Sequence, residues 1–191
     1  MSVTTGRGDD GETDLLFGKR ISKCDPRMVA IGAVDELNAA LGLARVGGLP
    51  DDLEKSVDEV QKTLVGLMGE LATLPDDRER YLEQSYPVVD SETVARITGQ
   101  IRSREAGGIS FSGWVRPGAS HHAAGAGLDF ARTICRRAER EVLALGVEAG
   151  NPQLALYLNR VSDLMWVLAR KLEGEGDRGP EVGIEQDRQM G

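Results

Sequence analysis

Apolar residues recur at helical spacing in five stretches of the chain. From Pro26 onward, Ala30, Val34, Leu37, Leu41 and Ala44 follow at steps of four and three, which predicts a helix. Asp25-Pro26 supplies its cap and first turn, and Gly47-Gly48 with Pro50 ends it. In the next stretch Leu53, Val57, Val60, Leu64, Leu67, Leu71 and Leu74 form one stripe at a/d heptad spacing. Asp51 or Asp52 is its expected cap and Pro75 its end. Residues 75–89 read as a polar connection. A third helix is expected from about Ser91 to Glu105, with Val94, Ile97 and Ile101 facing inward. A fourth covers roughly residues 126–146, on Leu128, Ala131, Cys135, Ala138, Val142 and Leu145, with Gly146 as its C-cap. Asn151-Pro152 opens a fifth, lined by Leu154, Leu158, Val161, Met165, Leu168 and Leu172.

The remaining segments have little periodicity. Residues 1–25 are rich in Gly and Asp and predict a loop with at most a short strand-like piece. Residues 107–127 are Gly-rich and contain Trp114 and Pro117; a stretch of that length in a compact domain is usually functional or disordered. Residues 173–191 read as a disordered polar tail. No internal repeat is visible. The expectation is an all-α chain: an N-terminal loop (1–25), one helical bundle domain (26–172) of five up-and-down helices, and a tail (173–191).

Composition narrows the class. The chain has 191 residues, enough for one sizeable core, and only 4% are aromatic, so aliphatic side chains must fill it. A net charge of −8 argues against a general nucleic-acid binder. Cys24 and Cys135 form no CxxC pair, which fits a reducing compartment. Residues 1–12 do not resemble a signal peptide, and no apolar run approaches the roughly 18 residues of a membrane span. These features together read as cytoplasmic, with no membrane partner.

Against that acidic background, some groups can carry chemistry. Arg132, Arg136 and Arg140 stand four apart on one helical face, with Glu139 among them and Arg137 to one side. Like charges at that spacing repel by a few tenths of a kcal/mol. The ridge therefore either pairs with acidic helices or meets an anion, and arginine's planar fork suits phosphate oxygens. Thr5-Gly6-Arg7-Gly8-Asp9-Asp10-Gly11-Glu12-Thr13 could turn backbone N–H groups toward an anion. It is neither a Walker A loop nor a dinucleotide fingerprint. Lys23 follows ten residues after Thr13, Asp35 lies beside the first apolar stripe, and Asn159 lies in the fifth helix. Alone, Lys23 and Asn159 read as solvated surface residues, and Asp35 reads equally as an exposed acid or as a carboxylate needing a partner, for which an arginine of the fourth helix is the candidate. His121-His122 lacks the further ligands a metal site needs, so no protein metal site is expected.

Taken together, three blocks resemble the ATP:cob(I)alamin adenosyltransferases of the propanediol-utilisation type over about residues 4–172. They are Thr5 to Lys23 running on through Asp25-Pro26-Arg27 to Val34-Asp35-Glu36-Leu37-Asn38, then Ala131-Arg132 through Arg140, and Tyr157-Leu158-Asn159-Arg160-Val161-Ser162-Asp163-Leu164. The resemblance implies a five-helix bundle assembling as a homotrimer with active sites between subunits. It implies that ATP meets Thr5, Gly6, Arg7, Gly8, Thr13, Lys23, Arg136, Arg137, Glu139, Arg140 and Asn159. It assigns the catalytic set to Asp35, Arg136 and Glu139, with Asp35 pairing with Arg136 across the interface. Mg²⁺ would accompany the triphosphate, and cobalamin would be substrate and product. Trp114 would stand on the corrinoid side and help displace the lower axial ligand. A reductase and an acceptor enzyme that uses adenosylcobalamin would be the protein partners.

This chain departs from the family pattern mostly on the corrinoid side. Trp114 replaces a usual Phe, Ala119 a Gly, Arg116 an apolar residue and Asp129 a common histidine; Arg7 replaces a threonine of the first block. A non-catalytic corrinoid or nucleotide carrier on the same trimer is the alternative these changes raise. An unrelated helical interaction protein would bind no ATP.

Overall fold

Asp25 takes an extended backbone and its carboxylate accepts a hydrogen bond from the Arg27 N–H at 2.8 Å, while Pro26 occupies the first turn. This opens α1 (Pro26–Val46) in the computed structural model, which describes residues 4, 6–109 and 115–174. The other α-helices among these residues are α2 (Asp51–Leu71), α3 (Arg78–Glu83), α4 (Ser91–Glu105), α5 (Ala123–Ala144) and α6 (Gln153–Gly174). Ahead of them Glu12–Asp14 (β1) and Arg20–Ser22 (β2) pair antiparallel, with Thr13 opposite Ile21.

The long helices lie where periodicity predicts them, and α4 has the expected ends. The connection at residues 75–89 differs. It holds a 3₁₀ turn at Pro75–Asp77 and the short helix α3, whose Tyr81 is buried and donates its hydroxyl to the Pro87 carbonyl at 2.8 Å. Burial pushes the Tyr81 phenol up to about 12. A single buried aromatic in a polar run leaves no periodic signal. Asp51 and Asp52 fall inside α2 rather than capping it, because Pro50 takes the cap position; both still favour the positive end of the helix dipole. The second helix also ends at Leu71, so Leu74 lies beyond it. α5 starts three residues earlier than expected, because His122 serves as N-cap and accepts from the Gly125 N–H at 3.3 Å. α6 continues two residues past 172, since Glu173 is buried and ion-paired.

The core is aliphatic. Leu37, Leu41, Leu64, Leu67, Leu128, Leu158, Val161 and Leu168 are fully buried between the long helices. α1 and α5 run antiparallel and unusually close. A Cβ on Gly47 would stand 2.8 Å from the Ala124 nitrogen, and one on Gly127 2.9 Å from the Ala44 Cα. At the other end of this pair Arg27 is buried and donates to the carbonyls of Leu71 (2.8 Å), Thr73 (3.2 Å) and Glu148. It ties the start of α1 to the ends of α2 and of the α5–α6 turn. No helix of the described residues is long and apolar enough to cross a membrane.

Candidate functional site

The N-terminal hairpin holds the glycine loop in a defined shape. Arg20 on β2 binds Asp10 at 2.8 Å and Glu12 at 2.9 Å, and donates to the Arg7 carbonyl at 3.1 Å. The Glu12 N–H, followed by Arg20, holds the Asp10 carboxyl below its ordinary range. Arg7 itself pairs with Asp14 at 3.1 Å. Gly6 and Gly11 take positive φ, 69° and 83°, a conformation that disfavours other residues and so explains glycine at both places. The chain then returns so that the Lys23 N–H donates to the Gly11 carbonyl at 2.9 Å and the Lys23 Nζ donates to the Gly8 carbonyl at 2.5 Å. Gly6, Arg7, Gly8, Thr13 and Lys23 are thus gathered in one loop and hairpin. A lysine ammonium resting on a carbonyl is a cation that an anionic ligand can draw away.

The arginine ridge lies on α5. Arg136 and Arg140 are exposed and make no ion pair among the described residues. Arg137 is engaged by Glu36 of α1, which answers the sequence ambiguity for that residue in favour of an acidic neighbour. Arg132 is half-buried, with its Nε 3.6 Å from an Asp129 carboxylate oxygen. Glu139 accepts a hydrogen bond from the Asn159 Nδ2 at 3.2 Å, and the Asn159 side-chain Oδ1 accepts from the Arg160 guanidinium at 2.7 Å. Two expected site residues from separate helices, Glu139 and Asn159, are therefore in direct contact. Asp35 is exposed on α1 with no ion pair among the described residues, one position from Glu36 and so level with the middle of the ridge. Cys135, on the buried side of α5, has its thiol pushed up by burial and is not available as a nucleophile. Thr5 and Trp114 lie outside the described residues.

Sequence reasoning did not group the charges at the far end of α5. Asp129, Arg170 and Glu173 are all buried, with Arg170 bound to Asp129 at 2.5 Å and to Glu173 at 2.8 Å. The available signal was charge inside an apolar stripe: Asp129 follows Leu128, and Arg170 and Glu173 flank Leu172.

Known proteins resemble this chain in sequence and fold. The family description "Cobalamin adenosyltransferase" matches residues 3–172. A cobalamin adenosyltransferase of Cupriavidus metallidurans is 37% identical over 189 residues, covering 98% of this chain and 96% of that protein. The corrinoid adenosyltransferase PduO of Salmonella typhimurium is 34% identical over 174 residues, covering 89% of this chain; the chain spans about half of that relative, 49%. Among solved structures, a variant of the PduO-type ATP:corrinoid adenosyltransferase of Lactobacillus reuteri, complexed with cobalamin and ATP, superposes with a TM-score of 0.82 at 26% identity. That match covers 95% of this chain and all of the other.

Proposed function

The chain belongs to the cobalamin adenosyltransferase family, and from that premise we propose that it transfers the 5′-deoxyadenosyl group of ATP to the cobalt(I) of cobalamin. The observation that carries this reading is a pair of exposed arginines, Arg136 and Arg140, with no ion pair among the described residues, on a chain of net charge −8. They share the family's fold with a glycine loop whose lysine rests on a displaceable carbonyl.

Cobalt(I) carries the attacking electron pair. A cobalt–carbon bond forms at the ribose C5′, the C5′–O bond breaks, and triphosphate departs with that bond's electrons. The nucleophile bears no proton, so no general base is required. What remains for the protein is alignment and stabilisation of the charge growing on triphosphate. Lys23, Arg136, Arg137 and Arg140 supply positive charge, the Gly6–Gly8 backbone supplies N–H donors, and Asn159 is held by Glu139. Mg²⁺ would accompany the triphosphate and offset part of its charge; among the described residues there is no cluster of three or more His, Cys, Asp or Glu side chains that could hold a metal ion. The family resemblance assigns Trp114 to the corrinoid.

The site is completed by assembly into a homotrimer. In support, α1 and α5 expose the large apolar side chains Val29, Leu43, Phe130 and Leu143, and Asp35 lacks an ion partner within its own chain among the described residues. Asp35 of one copy pairs with Arg136 of the next and holds it toward the triphosphate. The setting is cytoplasmic, with a reductase supplying cobalt(I) and an acceptor enzyme taking the product. The test is direct: protein, Mg-ATP and chemically reduced cobalamin are mixed, and the adenosylated absorbance spectrum is followed together with triphosphate release. Both should appear in equal amounts. Binding of ATP and corrinoid without turnover would select the carrier reading instead, which the altered residues around Trp114 favour.

A further inference from the structure

The ridge has an unequal member. Arg136 and Arg140 point outward, but the Arg132 side chain is only 27% exposed, and its Nε is buried without a hydrogen-bond partner. The charge facing that nitrogen is Asp129, one turn earlier on α5 and 2% exposed. Both Asp129 oxygens are committed. Oδ1 faces Arg132 at 3.6 Å, and Oδ2 accepts from the Arg170 Nη2 at 2.5 Å. Arg170 is itself fixed from two further sides: its Nε lies 2.8 Å from a Glu173 carboxylate oxygen, and its guanidinium lies over the Trp166 ring at 5.6 Å. Asp129 is thus anchored by α6 on one oxygen and presents the other to the ridge.

A long arginine on an exposed helix face samples many rotamers, and fixing it costs side-chain entropy. A buried carboxylate against its Nε edge removes most of that freedom in advance and leaves the two terminal nitrogens free for an anion. We propose that Asp129 is a positioning residue for ATP binding: braced by Arg170, it aims Arg132 along the ridge so that the Arg132 terminal nitrogens join Arg136 and Arg140 on the triphosphate. The inference rests on the transferase reading and adds Arg132, Asp129 and Arg170 to it.

A double-mutant cycle reads the proposal through the KM for ATP, with KM for cobalamin as the control. Asp129→Asn in the otherwise unchanged protein should raise KM for ATP about tenfold and leave KM for cobalamin within a factor of about two. In an Arg132→Gln background the same Asp129→Asn change should leave KM for ATP where Arg132→Gln alone puts it. An equal rise in both backgrounds would overturn the proposal, since Asp129 would then act on the fold and not through Arg132. So would an unchanged KM for ATP in Asp129→Asn. Because Asp129→Asn removes one of the two carboxylates paired with Arg170 and can unfold the chain, Asp129→Asn with Arg170→Gln and Glu173→Gln removes the three buried charges together. That variant must show the same rise in KM for ATP. The unaltered enzyme is assayed beside it, so absence of adenosylation there would refute the transferase itself, a separate outcome.

Discussion

Arg136→Ala separates catalysis from folding more cleanly than any other change at the site. The side chain is exposed and has no ion pair among the described residues, so its removal breaks no native contact of that kind. It also relieves two like-charge neighbours on α5, Arg132 and Arg140, at about 0.2–0.5 kcal/mol each. Alanine is at least as good a helix former as arginine. The stability of the single-chain fold should therefore stay the same or rise by less than about 1 kcal/mol, and any loss should appear in trimer assembly, where the proposed pair with Asp35 of the next copy is removed. The transition state loses a charged donor to a leaving group whose negative charge is growing. Removing one such preorganised donor costs about 3–4 kcal/mol, or 10²–10³ in kcat. Stopped assays of adenosylcobalamin formation with saturating reduced cobalamin give kcat and the KM for ATP, and thermal unfolding of the same preparation gives stability. A variant that keeps kcat/KM within twofold of the parent would remove Arg136 from the mechanism. A variant that loses activity and unfolds early would show that its exposure had been misjudged.

Three further changes probe the scaffold. Gly8→Ala would place a Cβ 2.8 Å from the Lys23 Nζ and 3.1 Å from its Cε; the flexible lysine end can retreat, so KM for ATP should rise several-fold in steady-state assays while the unfolding midpoint barely moves. Arg27→Ala abandons three backbone carbonyls that a buried guanidinium now satisfies, which should cost about 3 kcal/mol in urea unfolding; a loss under about 1 kcal/mol would mean water replaces it freely. Glu173 has its pKa raised above 4.5, first by burial and against the pull of Arg170. Below 4.5 both folded and unfolded forms hold the proton; as pH rises through and above that value the unfolded form gives it up first, so the group costs stability at neutral pH. Glu173→Gln should therefore gain in Tm relative to the parent between pH 4 and pH 7, and a constant difference across that range would contradict the assignment.

The helices were legible because each carries an uninterrupted apolar stripe and most have a chemical stop. Asp25-Pro26 and Asn151-Pro152 mark true starts: the Asp25 and Asn151 side chains accept from the backbone N–H two residues on, at 2.8 and 3.0 Å. The short helix α3 was not legible, since six residues span fewer than two turns and Tyr81 alone faces the core. At the site, the glycine loop and Lys23 could be grouped by order along the chain, and the hairpin that closes them follows from Arg20, whose salt bridges to Asp10 and Glu12 no periodicity announces. The Asp129–Arg170 pair spans 41 residues, beyond what spacing on one helix can reveal.

The close approach of α1 and α5 explains why the arginine ridge is positioned as it is. Gly47 packs on Ala124, and Gly127 on Ala44, at distances that leave no room for a Cβ. With the two backbones so near and antiparallel, the middle of α1 lies beside the middle of α5, and Glu36 reaches Arg137. Small residues face that contact on α5, where Ala124 and Gly127 meet Gly47 and Ala44, while Arg136 and Arg140 are exposed. The glycine loop joins the Arg27 end of α1, beside the C-terminal end of α5, through the Lys23-Cys24-Asp25 link. In the homotrimer proposed above, the loop of one copy meets the ridge of another. The same geometry makes Asp35, exposed beside Glu36, the acid best placed to reach a neighbouring ridge, and a trimer that persists unchanged with Asp35→Arg would refute that pairing. Restored assembly and activity on combining Asp35→Arg with Arg136→Asp would support it; restoration only with Arg132→Asp would move the pairing one turn along α5.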